Sequence, residues 1–150
     1  MRIAIGSDHR GFHLKEKLTA LLQSKGHEIE DVGTTVTDSV DYPDFAALVG
    51  RKVSEQTVDR GILICGTGIG MAITANKFPH VRAAPITDEI TAEISRRHND
   101  LNVLCLPADM LSPRAVERMV EVWIDTEFEG GRHSRRVDKI SEIEKHTLSE

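Results

Sequence analysis

Short apolar runs alternate along the chain with longer amphipathic segments. The runs are rich in branched aliphatic residues, and their length of about five residues is typical of strands rather than helices. The run GILIC is continuous and apolar, which indicates a strand buried on both faces. Five strands are predicted in this way, at Arg2–Gly6, Glu28–Val32, Gly61–Cys65, Val81–Ile86 and Asn102–Leu106.

The segments between these runs carry helix signals. The clearest helix is predicted from about Phe12 to Lys25, where leucines recur at helical spacing and Gly26 follows as a stop. Proline suits a first helical turn, and Thr or Asp suits the position before it. Further helices are predicted to start near Pro43, inside GTGIGMAITANK, after Thr87 or Asp88 (ending at about His98), and at Ser112-Pro113, with a last helix over Val137–Leu148.

Strands that alternate with helices predict a parallel sheet covered on both faces. The expected fold class is therefore α/β, a Rossmann-like three-layer α/β/α sandwich with a parallel sheet of about five strands. A chain of 150 residues is long enough to bury one core but short for two, so we expect a single domain over residues 1–150.

Composition narrows the class of partner. Acidic residues outnumber basic ones, 24 to 19, and the net charge of −5 argues against nucleic acid and anionic membranes. No apolar run approaches the roughly 20 residues of a membrane helix, and the N-terminus does not resemble a signal peptide. Cys65 and Cys105 are far apart and belong to no CxxC motif, so zinc is not expected. A reducing, cytoplasmic location is predicted.

In an open parallel sheet, ligands bind beyond the carboxyl ends of the strands. Polar and reactive residues follow three of the predicted strands. They are Ser7-Asp8-His9 after the first, Cys65 with Gly66–Gly70 after the third, and Thr87-Asp88 after the fourth. The sequence therefore predicts a site at this edge.

The loop Gly66-Thr67-Gly68-Ile69-Gly70 joins a strand to a helix. It matches neither the phosphate-binding P-loop nor the dinucleotide fingerprint, which would follow the first strand. Alternating glycines allow backbone N–H groups to turn toward an anion, and they also allow close packing of helix on strand. An anion-binding loop is the favoured interpretation, with packing as the alternative.

Cys65 is the candidate nucleophile or base. Most buried cysteines only pack, and Cys105, in the middle of a strand, is expected to do so. Cys65 instead lies directly before a helix N-terminus, a position that stabilises a thiolate. Further candidates are Asp8-His9 and His98-Asn99-Asp100. Four other histidines are expected to be surface or hydrogen-bonded residues: His13, His27, His80 and His146.

The segment EGGRHSRR, from Glu129 to Arg136, is predicted to be a basic loop before the last helix. Arginine is well suited to phosphate because its planar guanidinium donates two parallel hydrogen bonds. His133 lies among these arginines. A local anion site and a solvated segment are both compatible with the charge.

Five ordered motifs, GSDHRG, DYPDFA, ILICGTGIGMAITANK, RRHNDLNVL and EGGRHSRRV, resemble the ribose-5-phosphate isomerase B family. The related galactose-6-phosphate isomerase subunits share much of this pattern. The resemblance extends from Ile3 to Val137. It implies a Rossmann-like fold, a small sugar phosphate as ligand, no metal and no cofactor. It also implies a homodimer with active sites at the subunit interface, or a tetramer built from two dimers.

The resemblance also implies residue roles. Cys65 matches the base that abstracts the proton, and His98 matches the histidine that opens the furanose ring. Gly66 to Gly70 match the loop that holds the reacting carbonyl end, so the phosphate is assigned elsewhere. The remaining matches are substrate contacts at Asp8, His9 and Asn99 and phosphate ligands at Arg132 and Arg136.

One position departs from the family pattern. After the strand NVLCL the family commonly has three residues in order: Gly, then either Ser or Ala, then Arg. That arginine helps to bind phosphate. This chain has Pro107-Ala108-Asp109. A carboxylate at this point repels a dianion, and Arg114 is a candidate substitute cation.

Aldose–ketose isomerisation needs a base near the operating pH and fixed donors where the oxyanion develops. A thiolate beside the glycine loop supplies both, and Thr67 can shuttle protons between the two oxygens. The expected reaction interconverts D-ribose 5-phosphate and D-ribulose 5-phosphate through an enediolate. The alternatives are an isomerase of galactose 6-phosphate or allose 6-phosphate, and a non-catalytic sugar-phosphate-binding domain.

Topology adds a prediction about assembly. A helix between two parallel strands runs antiparallel to them, so His98 and Asn99, at the end of such a helix, should lie at the sheet edge opposite Cys65. If Cys65 and His98 act on one sugar, a second copy of the chain must supply one of them.

Overall fold

The computed structural model describes residues 1–149 and has five strands over that range. The strands are β1 (Arg2–Ser7), β2 (Glu28–Asp31), β3 (Arg60–Cys65), β4 (Ala83–Pro85) and β5 (Val103–Pro107). They form one parallel sheet in the order β2-β1-β3-β5-β4. The predicted parallel sheet of about five strands is therefore confirmed.

Helices connect the strands and cover both faces of the sheet. They are α1 (Phe12–Ser24), α2 (Tyr42–Ser54), α3 (Ile69–Ala75), α4 (Glu89–Asn99), α5 (Pro113–Asp125) and α6 (Arg132–Ser149). None of these helices combines the length and the apolar character that crossing a membrane requires.

Two apolar clusters lie on opposite faces of the sheet, because successive strand residues point to opposite sides. On one face, Ile62 and Ile64 pack with side chains of α1, α4 and α5. On the other, Leu63 and Cys65 pack with side chains of α2 and α3. This arrangement confirms the three-layer α/β/α sandwich.

Three predicted helix starts are confirmed, two of them by a side-chain cap. The Asp88 carboxylate accepts a hydrogen bond from the Thr91 N–H at 2.7 Å, so Asp88 rather than Thr87 caps α4. The Ser112 hydroxyl accepts one from Ala115 at the start of α5. Pro43 lies in the first turn of α2.

The fourth strand is shorter than predicted. The run from Val81 to Ile86 contributes only Ala83–Pro85 to the sheet. Just before β4 the Arg82 N–H donates to the side chain of Asn102, and in its first residue the Ala83 N–H donates to the side chain of Asn76. Side-chain acceptors thus bind these two N–H groups at this edge of the sheet.

The prediction of a basic loop from Glu129 to Arg136 is wrong in its second half. Helix α6 begins at Arg132. Gly130 and Gly131, with φ of +69° and +57°, form a tight turn before it. The His133 N–H then donates to the Gly130 carbonyl, and the His133 side chain is only 4% exposed. Burial of this ring orders a segment that appears solvated from its charge alone.

Candidate active site

A cavity of about 590 Å³ opens at the carboxyl ends of β1, β3 and β5. This is the edge of the sheet at which the sequence predicts a site. Six predicted site residues line the cavity: Asp8, Cys65, Gly66, Thr67, Ile69 and Gly70. Four further residues line it that were not predicted as site residues: Arg10, Tyr42, Ile73 and Asp109.

Cys65 is the last residue of β3 and is 5% exposed. Its Sγ accepts a hydrogen bond from the Gly68 N–H at 3.1 Å. This backbone donor fixes the position of the sulfur at the end of β3. Cys105 differs in its surroundings, because it is fully buried in β5 and this burial raises the pKa of its thiol. The structure thus makes Cys65 the thiol that faces the cavity.

Close packing accounts for much of the glycine loop. Gly68 has a φ of +79°, and a Cβ there would lie 3.2 Å from the backbone of Cys105 and Leu106. Two N–H groups of the loop already have partners, since Gly68 donates to Cys65 and Ile69 donates to the Thr67 hydroxyl at 3.2 Å. Anion binding by this loop stays a prediction.

Asp8 lies on the cavity wall and is 5% exposed. Its Oδ1 accepts hydrogen bonds from the N–H groups of Arg10 and Gly11, at 3.0 and 3.2 Å. These bonds fix the carboxylate and leave Oδ2 free of hydrogen-bond donors from the described residues. The buried Asp8 therefore has one oxygen available to a ligand.

His9 is oriented by the following loop and is not among the residues that line the cavity. Its Nδ1 accepts a hydrogen bond from the Val40 N–H at 3.2 Å. In the neutral ring, Nε2 then carries the proton and can donate a hydrogen bond.

Sequence reasoning missed Arg10 and Tyr42 as site residues, and the sequence holds a signal for only the first of them. Arg10 follows Asp8-His9 at the end of β1, so its position alone predicts a place at the site. Tyr42 begins α2 and packs its ring against Gly70, where any side chain would collide with it. Only the path of the chain before α2 brings it there.

His98, near the end of α4, stacks on His133 of α6. Their ring centroids are 4.1 Å apart and the planes differ by 10°. This end of α4 lies near the start of β3, because the Gly61 N–H donates to the Asn102 carbonyl just after the helix. Cys65 lies four strand residues further along, about 13 Å at ~3.3 Å per residue. His98 and Cys65 thus lie toward opposite edges of the sheet, as the topology predicts.

Asn99, Arg132 and Arg136 are also absent from the lining of the Cys65 cavity. Asn99 is the last residue of α4, and its carbonyl accepts a hydrogen bond from Arg82. Arg132 and Arg136 are exposed and stand four residues apart in α6, which places them on one helix face. The chain therefore carries two separate groups of predicted site residues.

His98, Glu129 and His133 bring three potential metal-ligand atoms within 4.8 Å of one another. The shortest contact between Glu129 and His133 is 4.0 Å, from Oε1 to Nε2. Burial lowers the pKa of His133, and His98 lowers it further. A neutral imidazole can bind a transition metal, but two histidines and one carboxylate give zinc only three of its usual four ligands. The expectation that no metal takes part stays a prediction.

A family model described as Ribose/Galactose Isomerase matches residues 3–140 of this chain. The chain is also 43% identical to ribose-5-phosphate isomerase B of Escherichia coli (strain K12), over 95% of this chain and 96% of that protein.

Solved structures give the same picture. Ribose-5-phosphate isomerase B of Clostridium thermocellum superposes with a TM-score of 0.95 at 47% identity, covering 98% of this chain and 99% of that one. The enzyme of Mycoplasma genitalium, solved with bound ribulose-5-phosphate, superposes with a TM-score of 0.94 at 43% identity, covering 96% of both chains.

Proposed function

The chain belongs to the ribose/galactose isomerase family, and we propose that it interconverts D-ribose 5-phosphate and D-ribulose 5-phosphate through an enediolate. The observation that carries this proposal is the position of Cys65. Its sulfur faces the cavity at the end of β3, which Asp8, Arg10 and Thr67 also line, and it accepts a backbone hydrogen bond from Gly68. The bound ribulose-5-phosphate of the Mycoplasma genitalium structure supports a sugar phosphate as the ligand here.

Cys65 is the base in this proposal. Its thiolate removes the proton from C2 of the open-chain aldose, and the electron pair of that C–H bond forms the double bond of the enediolate. The resulting thiol then returns the proton to C1, which gives the ketose. The hydrogen bond from Gly68 holds the sulfur in place for the proton transfer.

Thr67 is proposed to move the second proton. Its Oγ1 already accepts the Ile69 N–H, so its own hydrogen is free to point to the substrate. In the ribose-to-ribulose direction, a proton must leave the C2 oxygen and reach the C1 oxygen. The Thr67 hydroxyl can donate to one oxygen while it accepts from the other.

Asp8 is proposed to bind a sugar hydroxyl through its free Oδ2. Its Oδ1 is occupied by two backbone donors, which hold the carboxylate in one orientation. A preorganised group of this kind lowers the entropic cost of fixing the substrate. His9, with Nε2 as a donor, is proposed to contact the substrate as well.

His98 and Asn99 are proposed to act from a second copy of the chain, because they lie toward the sheet edge opposite Cys65. His98 would donate and accept the proton that opens the furanose ring. Arg132 and Arg136, exposed on one face of α6, would bind the phosphate from that same copy. The proposed assembly is therefore a homodimer with shared sites, alone or paired into a tetramer.

Exposed apolar side chains beside the cavity support this assembly. Ile69 and Ile73 of α3 line the cavity and are 54% and 58% exposed. Apolar residues next to a polar site are typical of a protein interface.

The two cysteines are both free and buried, which supports the proposed cytoplasmic location.

An assay of the purified protein tests this function. D-ribose 5-phosphate, galactose 6-phosphate and allose 6-phosphate would be supplied in D2O, and the products followed by NMR. We expect turnover with ribose 5-phosphate and deuterium at C2 of the recovered aldose, because the abstracted proton exchanges with solvent. Turnover of a six-carbon phosphate alone would favour the hexose alternative. Binding measured by calorimetry without any turnover would favour the non-catalytic alternative.

A further inference from the structure

An ion pair spans one side of the cavity above the end of β3. Arg10 follows β1 and Asp109 follows β5, and these two strands flank β3 in the sheet. The Nη1 of Arg10 lies 2.5 Å from the Oδ2 of Asp109. A Cβ at Gly66 would stand 2.7 Å from that same carboxylate oxygen and 3.2 Å from the Cδ of Arg10. The pair therefore lies directly against the residue that follows Cys65.

Backbone hydrogen bonds hold both partners in register with the site. The Arg10 N–H donates to Oδ1 of Asp8 at 3.0 Å. The Asp109 N–H donates to the Gly66 carbonyl at 3.1 Å, and the Ala108 N–H donates to the Cys65 carbonyl at 2.8 Å. The positions of both Cα atoms are thus tied to the residues around the reacting sulfur.

Structural bracing does not explain this pair. The side chains of Arg10 and Asp109 are 58% and 44% exposed, and ion pairs at such exposure add little to stability. A guanidinium has five N–H donors. Among the described residues, only Asp109 accepts from the Arg10 side chain. Arg10 therefore has donors left over, on a group that lines the cavity.

The charges that line the cavity indicate what the remaining Arg10 donors bind. Asp8 and Asp109 contribute two carboxylates to the lining, and Arg10 contributes its one cation. Without Arg10, the charged side chains that this chain itself contributes to the lining would be carboxylates alone, and only Arg132 and Arg136 of the second copy would offer the phosphate a cation. A guanidinium can hold a carboxylate on one edge and a phosphate on another, because its donors lie in a rigid plane.

We infer that Arg10 binds the phosphate of the substrate and that Asp109 positions its guanidinium at the mouth of the cavity. The carboxylate at 109 then serves as the anchor of a cation supplied from β1, despite its own charge. Arg114 does not take this part, since it lies with Glu89 and Arg118 at another cavity. The inference rests on the proposed function, which names a sugar phosphate as the ligand.

Arg10→Ala tests the binding role directly. We expect KM for ribose 5-phosphate and the inhibition constant of inorganic phosphate to rise about tenfold or more, the usual loss for one charge-assisted contact. The change in kcat should stay below about threefold, because the phosphate is remote from C1 and C2. Arg10→Lys should lose less, since it keeps the charge without the planar fork. Arg114→Ala is the matched control and should change neither constant.

Asp109→Asn tests the positioning role, because its effect on phosphate inhibition should be opposite in the presence and in the absence of Arg10. In the otherwise unchanged protein it releases the guanidinium, so phosphate inhibition should weaken by about two- to fivefold. In the Arg10→Ala background the carboxylate only repels, so the same substitution should strengthen phosphate inhibition. A carboxylate with no effect beyond repulsion would strengthen inhibition in both backgrounds, and that result would overturn the positioning role.

The binding role is overturned if Arg10→Ala leaves phosphate inhibition unchanged while the urea midpoint confirms a folded protein. Failure of the proposed function would look different, because the unsubstituted protein would then not isomerise at all. In that case calorimetric titration with inorganic phosphate still tests Arg10. Loss of binding in Arg10→Ala supports the phosphate contact, and unchanged binding contradicts it.

Discussion

The imidazole rings of His98 and His133 stack with their centroids 4.1 Å apart and their planes 10° apart. His133 is buried and its Nε2 has no hydrogen-bond partner among the described residues. The proposed ring-opening residue thus lies against a buried histidine whose pKa is lowered. Burial is the main cause of the lowered pKa of His133. His98, Arg132 and Arg136 lower this pKa further, whereas Glu129 raises it.

This relationship predicts loss of stability in mild acid. An unfolded histidine titrates near pH 6.5, and the pKa of His133 in the folded chain lies lower. Between the two values the unfolded chain binds more protons, so the free energy of unfolding falls as the pH falls below about 6.5. We expect the urea midpoint to drop from pH 7.5 to pH 5.5, and this drop to shrink in His133→Gln.

The matched control is His146→Gln, which makes the same change at an exposed position of the same helix. In His146→Gln the urea midpoint should drop between pH 7.5 and pH 5.5 by as much as it does in the unsubstituted protein. An equal drop in the midpoint for His133→Gln and the unsubstituted protein would show that His133 is not a source of the pH dependence.

Cys65→Ser should lower kcat by about 10²–10⁴-fold, the range of general acid–base catalysis, while the fold is kept. A serine hydroxyl is nearly as large as a thiol but is far less acidic, so the base is lost without a cavity. Cys105→Ala serves as the control, because Cys105 is buried in β5 and is not among the residues that line the cavity. Near-normal turnover by Cys65→Ser in a mass-verified sample would rule out the thiolate base.

Arg132→Ala and Arg136→Ala should each raise KM for the phosphorylated substrate about tenfold or more, with a smaller effect on kcat. Each removes a charge-assisted contact at a distance from the reacting carbons. Arg135→Ala is the control, since Arg135 is exposed in the same helix turn and has no proposed role. If all three variants keep the KM of the unsubstituted protein, the arginines are solvated charges.

Mixing Cys65→Ser with His98→Ala tests the shared site. Each variant alone should be inactive. In a heterodimer one site carries both defects and the other is intact, so mixing equal amounts after dissociation should restore about a quarter of the sites. The heterodimer would be verified by native mass spectrometry. No recovery of turnover in its presence would mean that Cys65 and His98 do not act in one shared site.

The sequence by itself determined the fold class and the edge of the sheet that carries the cavity. The strand GILIC is apolar along its whole length, so it must be buried on both faces, and its end fixes where Cys65 lies. The family resemblance, confirmed by the match over residues 3–140, rests on the same local motifs. The fold class, the cavity edge and the family motifs all depend on residues that are close together in the sequence.

Only the tertiary structure decided the contacts between distant segments. Arg10 and Asp109 meet because β1 and β5 flank β3, and each residue alone predicts neither the pair nor its place over Gly66. The start of α6 was misjudged because charge predicts exposure, whereas His133 is buried through its contact with His98. Strand order and side-chain burial depend on the whole chain packing at once, and local patterns do not carry that information.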